Sequence, residues 1–273
     1  MGQIEKKFRE LQEKNEGAHM AHVYYGDPNE EFSIRLITKL AENGADIIEF
    51  GFPFSDPIAD GATFQAACER ALKGGITPAK CIEGIRRLKR EGLSTPLVVT
   101  TYSNIPYFMG FERFISEIKE AGAQAIIIPD LPIEEAEQLM MQVEAAELHF
   151  ILQVAPTTSA ERLNKILEKA SGFIYLIGVE GVTGARKKLE KSTLKLIGRV
   201  RKKTDVPIMV GFGISKREHA EAIISAGADG VVVGSAYARI YSENLDNPFQ
   251  KLPEIAKLAN EIKRGCINGY RNK

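Results

Sequence analysis

The feature that most restricts the fold is a device that recurs three times. A glycine ends an amphipathic stretch, a short turn follows, and an unbroken apolar run comes next. It reads NGADIIEFG at 43–51, AGAQAIIIPD at 121–130 and AGADGVVVGS at 226–235. A glycine in that place closes a helix, and the run after it is a strand. Runs that are continuously apolar, rather than alternating, belong to strands covered on both faces, as in parallel sheets.

Five further runs read as strands: MAHVYY (20–25), PLVVTTY (96–102), HFILQVA (149–155), GFIYLIG (172–178) and PIMVGFG (207–213). Helical periodicity fills the gaps. In FSIRLITKLAENG, for example, Phe32, Leu36 and Leu40 share a face with Ile37 beside them. Asp27 is expected to cap that helix, with Pro28 in the first turn and Glu30 reaching back. Eight strand–helix units in 273 residues leave about 34 residues each, near the ~30 of a βαβ unit. The expected class is therefore α/β, a (β/α)8 TIM barrel. Residues 3–14 read as an extra N-terminal helix over the barrel bottom. With no low-complexity linker, residues 1–273 form one expected domain. An open doubly wound sheet is the competing architecture, but YYGDPNEE after the first strand is no dinucleotide fingerprint.

Charge excludes little and suggests less. Lys plus Arg equals Asp plus Glu at 36 each, which gives no reason to expect nucleic acid or an acidic membrane as partner. Three cysteines (Cys68, Cys81, Cys266) without CxxC spacing argue against a disulfide framework or a cysteine zinc site. With a charged, helix-like N-terminus and no membrane-length apolar run, they lead to an expected cytoplasmic location. His19, His22, His149 and His219 have no metal-ligand spacing, and His19 and His22 lie too far in sequence from evident partners. There is no nucleophile elbow and no P-loop. No lysine stands at the C-terminal end of a candidate strand, which favours acid–base chemistry over a Schiff base.

Barrel enzymes work at the C-terminal strand ends, so those ends are the search list. EFGFPFSDPIADG (49–61) follows the second strand and carries Glu49, Asp56 and Asp60. A carboxylate inside an apolar strand is costly unless it has a partner or a task, and burial raises its pKa into the range of a general acid. Asp56 lies in Ser-Asp-Pro and Asp60 in Asp-Gly, both ordinary turn sequences. From local chemistry alone, a turn role and a catalytic role for Asp60 stand equally open. Late glycines in GFGIS (211–215) and VVGSAYARI (232–240) suit a phosphate held by backbone N–H groups and a helix start. GVEGVTGARKKLEKS (178–192) reads either as a lid or as a solvated loop.

Taken together these residues resemble one family, the alpha subunit of tryptophan synthase. EFGFPFSDPIADG is similar to its signature, and the likeness runs on through GDPNEE, TYSNIPYFMG, IIPDLPIEE, VAPTTSAER, GVTGAR, GFGIS and VVGSA, over roughly residues 3 to 260. The resemblance implies a lyase that cleaves indole-3-glycerol phosphate to indole and glyceraldehyde 3-phosphate by a retro-aldol reaction. It implies Glu49 as acid/base and Asp60 as the carboxylate that holds the indole N–H. Substrate contacts fall on His22, Thr100, Tyr102, Gln153, Tyr175, Thr183 and Phe212, and phosphate contacts on Gly184, Gly213, Gly234 and Ser235. Asp56 would face a beta subunit in an alpha2-beta2 complex. This chain would carry no metal or organic cofactor, and pyridoxal phosphate would belong to the beta partner. His22, Thr100 and Gln153 depart from the family's mostly apolar pocket. Two other functions remain at this stage: a subunit that mainly binds and activates the beta chain, and a lyase or isomerase for another sugar phosphate.

Overall fold

The computed structural model describes residues 2–178, 191–211 and 213–273. Its strands are β1 (Ala18–Tyr24), β2 (Ile47–Gly51), β3 (Leu97–Thr100), β4 (Ala125–Ile127), β5 (His149–Phe150), β6 (Gln153–Val154), β7 (Ile174–Ile177), β8 (Ile208–Gly211) and β9 (Gly230–Val233). All of their pairings are parallel, in the order β5-β4-β3-β2-β1-β9-β8-β7-β6.

The two ends of that order are halves of one extended run. β5 pairs with β4 and β6 with β7. Between them, Ile151 N–H donates to Ile126 O at 2.9 Å, and Leu152 O accepts from Tyr175 N–H at 3.0 Å. Residues 149–154 thus act as the single fifth strand of an eight-stranded barrel, joined to both neighbours and closing it. The expected strand 149–155 is one strand in hydrogen bonding but two in regular pairing. The chain turns from one neighbour to the other within it.

Side chains alternate between two cores. Outward residues such as Ala21, Val23, Ile48, Phe50, Val99 and Val210 pack under the surrounding helices. Inward residues Met20, Ile47, Val98, Ile127, Ile151, Phe173, Met209 and Val232 fill the lower barrel. The helix Gln3–Glu13 closes this end: Ile4 and Leu11 join the inner cluster, and the Phe8 and Phe173 rings stand 6.1 Å apart. The expected N-terminal plug is therefore present.

The simple strand–helix alternation is elaborated. Two helices, Ala62–Lys73 and Pro78–Arg90, lie between β2 and β3, and a short one, Asn104–Met109, follows β3. A long C-terminal helix, Leu252–Arg271, packs against Arg217–Ser225. Its Gly265 allows this approach, since a Cβ there would lie 2.4 Å from Arg217 O.

The expected capping of the first barrel helix is corrected. Asn29, not Asp27, caps Glu30–Glu42, with its side chain accepting from Phe32 N–H at 2.9 Å. Asp27 is fully buried and takes the Arg70 guanidinium in a two-bond fork at 2.7 and 2.8 Å, plus the Tyr241 hydroxyl. Glu30 turns to the Tyr25 hydroxyl and Lys80 instead of the cap. A buried carboxylate needs such partners, and a bidentate arginine satisfies it better than a helix end does.

Among the described residues no helix is long and apolar enough to cross a membrane.

Candidate active site

Two residues further along each inward-facing row, the barrel changes character. Met20 is followed by His22, Ile47 by Glu49, Val98 by Thr100, Ile151 by Gln153 and Phe173 by Tyr175. Met209 and Val232 give way to Gly211 and Gly234. The upper barrel is thus polar on one side, and on the other its glycines make room for the Tyr175 and Phe64 rings. A Cβ at Gly211 would stand 2.4 Å from the Tyr175 hydroxyl, and one at Gly234 would stand 2.4 Å from the Phe64 ring.

Glu49 is the centre of this layer and only 2% exposed. Its Oε1 accepts from the Thr100 hydroxyl at 2.6 Å and lies 3.5 Å from His22 Nδ1. Its Oε2 is buried and has no protein partner among the described residues. Burial pushes the carboxyl up to about 8, against the opposing pull of the Thr100 bond and with some help from the Asp60 charge. Glu49 is therefore poised to carry a proton near neutral pH.

Asp60 is delivered by the loop after β2. Its Oδ2 accepts two short bonds of 2.6 Å, from the Tyr24 hydroxyl at the end of β1 and the Tyr102 hydroxyl just past β3. Tyr102 in turn accepts from Ala59 N–H at 3.1 Å, which ties the loop down. Burial raises the Asp60 pKa, while the two tyrosines work in the opposite direction. Burial, with the Asp60 charge adding to it, lifts both tyrosines above their ordinary range, so they remain donors.

His22 is 7% exposed and has a partner after all, the Glu49 carboxylate across the β1–β2 register. The separation in sequence hid a pairing that parallel strands create. The ring packs against Tyr24 and Phe64 at 5.0 and 4.6 Å between centroids, and burial lowers its pKa to about 3, so it is neutral. His19, by contrast, is a structural residue between Gly44 O and the Tyr237 hydroxyl.

Gln153 and Tyr175 are register partners across β6 and β7, on the inward side. Tyr175 carries a hydroxyl that burial keeps protonated, with the Glu49 and Asp60 charges adding to the effect. On the glycine side, Gly213 has a positive φ of 52° and Ser235 begins the helix Ser235–Ser242 directly after Gly234. β8 and β9 are paired, so the two loops are neighbours at the mouth. Helix-start N–H groups there are suited to an anion. Thr183, Gly184 and Phe212 lie outside the described residues, as does most of the segment 178–192.

Asp56 is exposed, accepts from the Ser55 hydroxyl at 2.6 Å, and shares the rim with Ile58, which is 78% exposed. Sequence reading missed Tyr24 and Phe64. Tyr24 shares the inward parity of His22 on β1 and was available from the period of two. Phe64 reaches the pocket from a helix and leaves no comparable signal. Among the described residues no cluster of metal-ligating side chains occurs.

Comparison with known proteins agrees with this geometry. A family model described as tryptophan synthase alpha chain matches residues 8–266. The tryptophan synthase alpha chain of Methanocaldococcus jannaschii is 48% identical over 247 residues, covering 90% of this chain and 87% of that protein. The crystal structure of the tryptophan synthase alpha chain from Legionella pneumophila superposes with a TM-score of 0.89 at 30% identity, covering 98% of each chain. A crystal structure of tryptophan synthase from Mycobacterium tuberculosis in an aminoacrylate-bound form contains a chain that matches with a TM-score of 0.86 at 32% identity, covering 97% of this chain and all of that one.

Proposed function

The chain belongs to the tryptophan synthase alpha chain family, and on that premise we propose how its pocket cleaves indole-3-glycerol phosphate to indole and glyceraldehyde 3-phosphate. The observation that carries the proposal is the buried Glu49, whose Oε2 has no partner among the described residues, in a pocket it shares with a tyrosine-held Asp60.

Cleaving a carbon–carbon bond beside an indole needs a proton on ring carbon C3 and a place for the positive charge that results. Protonated Glu49 supplies the proton through Oε2. Asp60 Oδ1, which neither tyrosine engages, accepts the indole N–H and stabilises the charge. The hydroxyl on the carbon bonded to C3 then loses its proton to the Glu49 carboxylate. Its C–O becomes the aldehyde carbonyl, the C–C bond breaks, and the electron pair returns to the ring. The two carboxylates divide the work because their surroundings differ, one meeting a neutral hydroxyl and a neutral imidazole, the other two phenol donors.

His22, Thr100, Tyr102, Gln153 and Tyr175 line the indole and glycerol, and Gly213, Gly234 and Ser235 take the phosphate at the mouth; Thr183, Gly184 and Phe212 join them as the family resemblance implies. The chain works as one barrel domain over residues 1–273. Pyridoxal phosphate belongs to the beta subunit, and this chain contributes acid–base chemistry of its own side chains. The beta subunit docks on the mouth near Asp56. Tyr107 and Phe108, 74% and 92% exposed just beyond β3, are the kind of apolar surface a partner covers. A cytoplasmic site fits three buried free cysteines.

The test is indole release from indole-3-glycerol phosphate by the purified chain, with and without a beta subunit. Release by the wild type that Glu49→Gln abolishes is the expected result. Equal release by both proteins would overturn the assignment.

A further inference from the structure

We infer that His22 is a positioning residue for the reacting carboxylate: its Nδ1 and the Thr100 hydroxyl together hold Glu49 Oε1, which aims Oε2 at the substrate, while its Nε2 accepts a hydrogen bond from a substrate glycerol hydroxyl. The inference rests on the function proposed above and adds a role that a merely apolar lining residue cannot have.

Three observations carry it. Nδ1 stands 3.5 Å from Glu49 Oε1, on the oxygen already fixed by Thr100. At this separation the pair is longer than a well-formed hydrogen bond, and catalytic contacts of this kind tighten when substrate is bound. Next, the two atoms of the pair that point away from each other, His22 Nε2 and Glu49 Oε2, are both buried and without protein partners among the described residues. Buried polar atoms left in this condition are rare and call for an explanation. Finally, Nε2 lies over Gly51, one inward position nearer the mouth than Glu49: a Cβ on Gly51 would come within 2.9 Å of it. That space is shared with the Tyr24 ring, which a Cβ on Gly51 would meet first, at 2.7 Å, so the bare glycine lets both rings sit against β2. Tyr24 and Phe64 hold the ring plane, so the two nitrogens cannot exchange places freely.

The tautomer follows from the partner. Glu49 Oε1 accepts from Thr100 and stays an acceptor whether or not Oε2 carries the proton, so Nδ1 carries the hydrogen and Nε2 is the bare acceptor. Because Asp60 takes the indole N–H, the donors left for Nε2 are the glycerol hydroxyls. No covalent step is assigned to His22. The titratable groups around Glu49 are His22 and Tyr24 from β1, Asp60 from the loop after β2, Tyr102 from just past β3 and Tyr175 from β7. Only His22 changes in the test.

The Glu49 carboxyl is followed by 13C NMR, with its resonance assigned by loss in Glu49→Gln. It is titrated in the wild type, in His22→Phe and in His22→Asn, whose amide N–H takes the place of Nδ1 but offers nothing at Nε2. Losing a donor to the ionised form raises the Glu49 pKa, by about half a unit to one unit in His22→Phe. His22→Asn restores the wild-type titration. In steady-state indole release, both variants lose about 5- to 10-fold in kcat/KM, because both lack the acceptor for the hydroxyl. Identical titration of Glu49 in all three proteins overturns the inference, as does kcat/KM within about twofold of wild type in His22→Phe. A wild-type chain that releases no indole sinks the proposed function, while the NMR comparison still decides what His22 does to Glu49.

Discussion

The lower and upper halves of the barrel are built on the same strands, two residues apart, and do opposite work. Below, Met20, Ile47, Val98, Ile151 and Phe173 form a dry core sealed by Ile4, Phe8 and Leu11. Above, His22, Glu49, Thr100, Gln153 and Tyr175 form a polar layer in which two buried atoms, His22 Nε2 and Glu49 Oε2, have no partner among the described residues. The lower layer gains its free energy from removing apolar surface from water, roughly 1.5–3 kcal/mol for each large side chain. The upper layer gives some of that back by burying groups that water would solvate better. Stability and chemistry are thus separated by a single inward step along each strand.

The sharpest break of this contrast exchanges one residue in each half. Glu49→Gln should lower indole release by about 10²- to 10⁴-fold without lowering the melting temperature. Phe173→Ala should cost about 3–5 kcal/mol in denaturant unfolding while the folded fraction keeps its KM. If Glu49→Gln instead destabilised the chain as Phe173→Ala does, Glu49 would belong to the structural layer.

Asp60→Asn is expected to have a smaller effect. The amide still meets the two tyrosines but no longer carries the charge, and kcat should fall by about 10- to 100-fold with less change in KM. Steady-state kinetics that showed only a raised KM would make Asp60 a binding group.

The mildest test is pH. Glu49 has its folded pKa raised to about 8 from 4.5. The folded state therefore holds its proton longer than the unfolded one. Its stabilising contribution is full below about 4.5 and is lost as pH rises through 8. The stability of Glu49→Gln relative to wild type should accordingly grow between those limits, by on the order of 5 kcal/mol. Chemical denaturation at pH 5 and pH 9 reads this directly, and a constant difference would mean that Glu49 is solvated as an ordinary surface carboxyl.

The strand runs were legible because burial on both faces leaves an unambiguous apolar signature. Helix capping was less so. Asp27 has every local attribute of a cap and is instead drawn into the Arg70 and Tyr241 cluster, whose members lie 43 and 214 residues away. Glu49 could be picked out as a misplaced charge, and Asp60 only through family resemblance, because Asp-Gly is also what a plain turn needs. His22 had no visible partner, since its partner sits on the neighbouring strand in register.

By itself, then, the sequence determined the alternation of strand and helix, the apolar lower rows and the placement of a carboxylate at the end of β2. These follow from local periodicity and from the cost of burying charge. Only the tertiary structure decided that residues 149–154 close the barrel, that two tyrosines from different strands grip Asp60, and that His22 faces Glu49. Each of these depends on strand register and loop return, which bring distant residues within hydrogen-bonding range and leave no mark on the residues next to them in the chain.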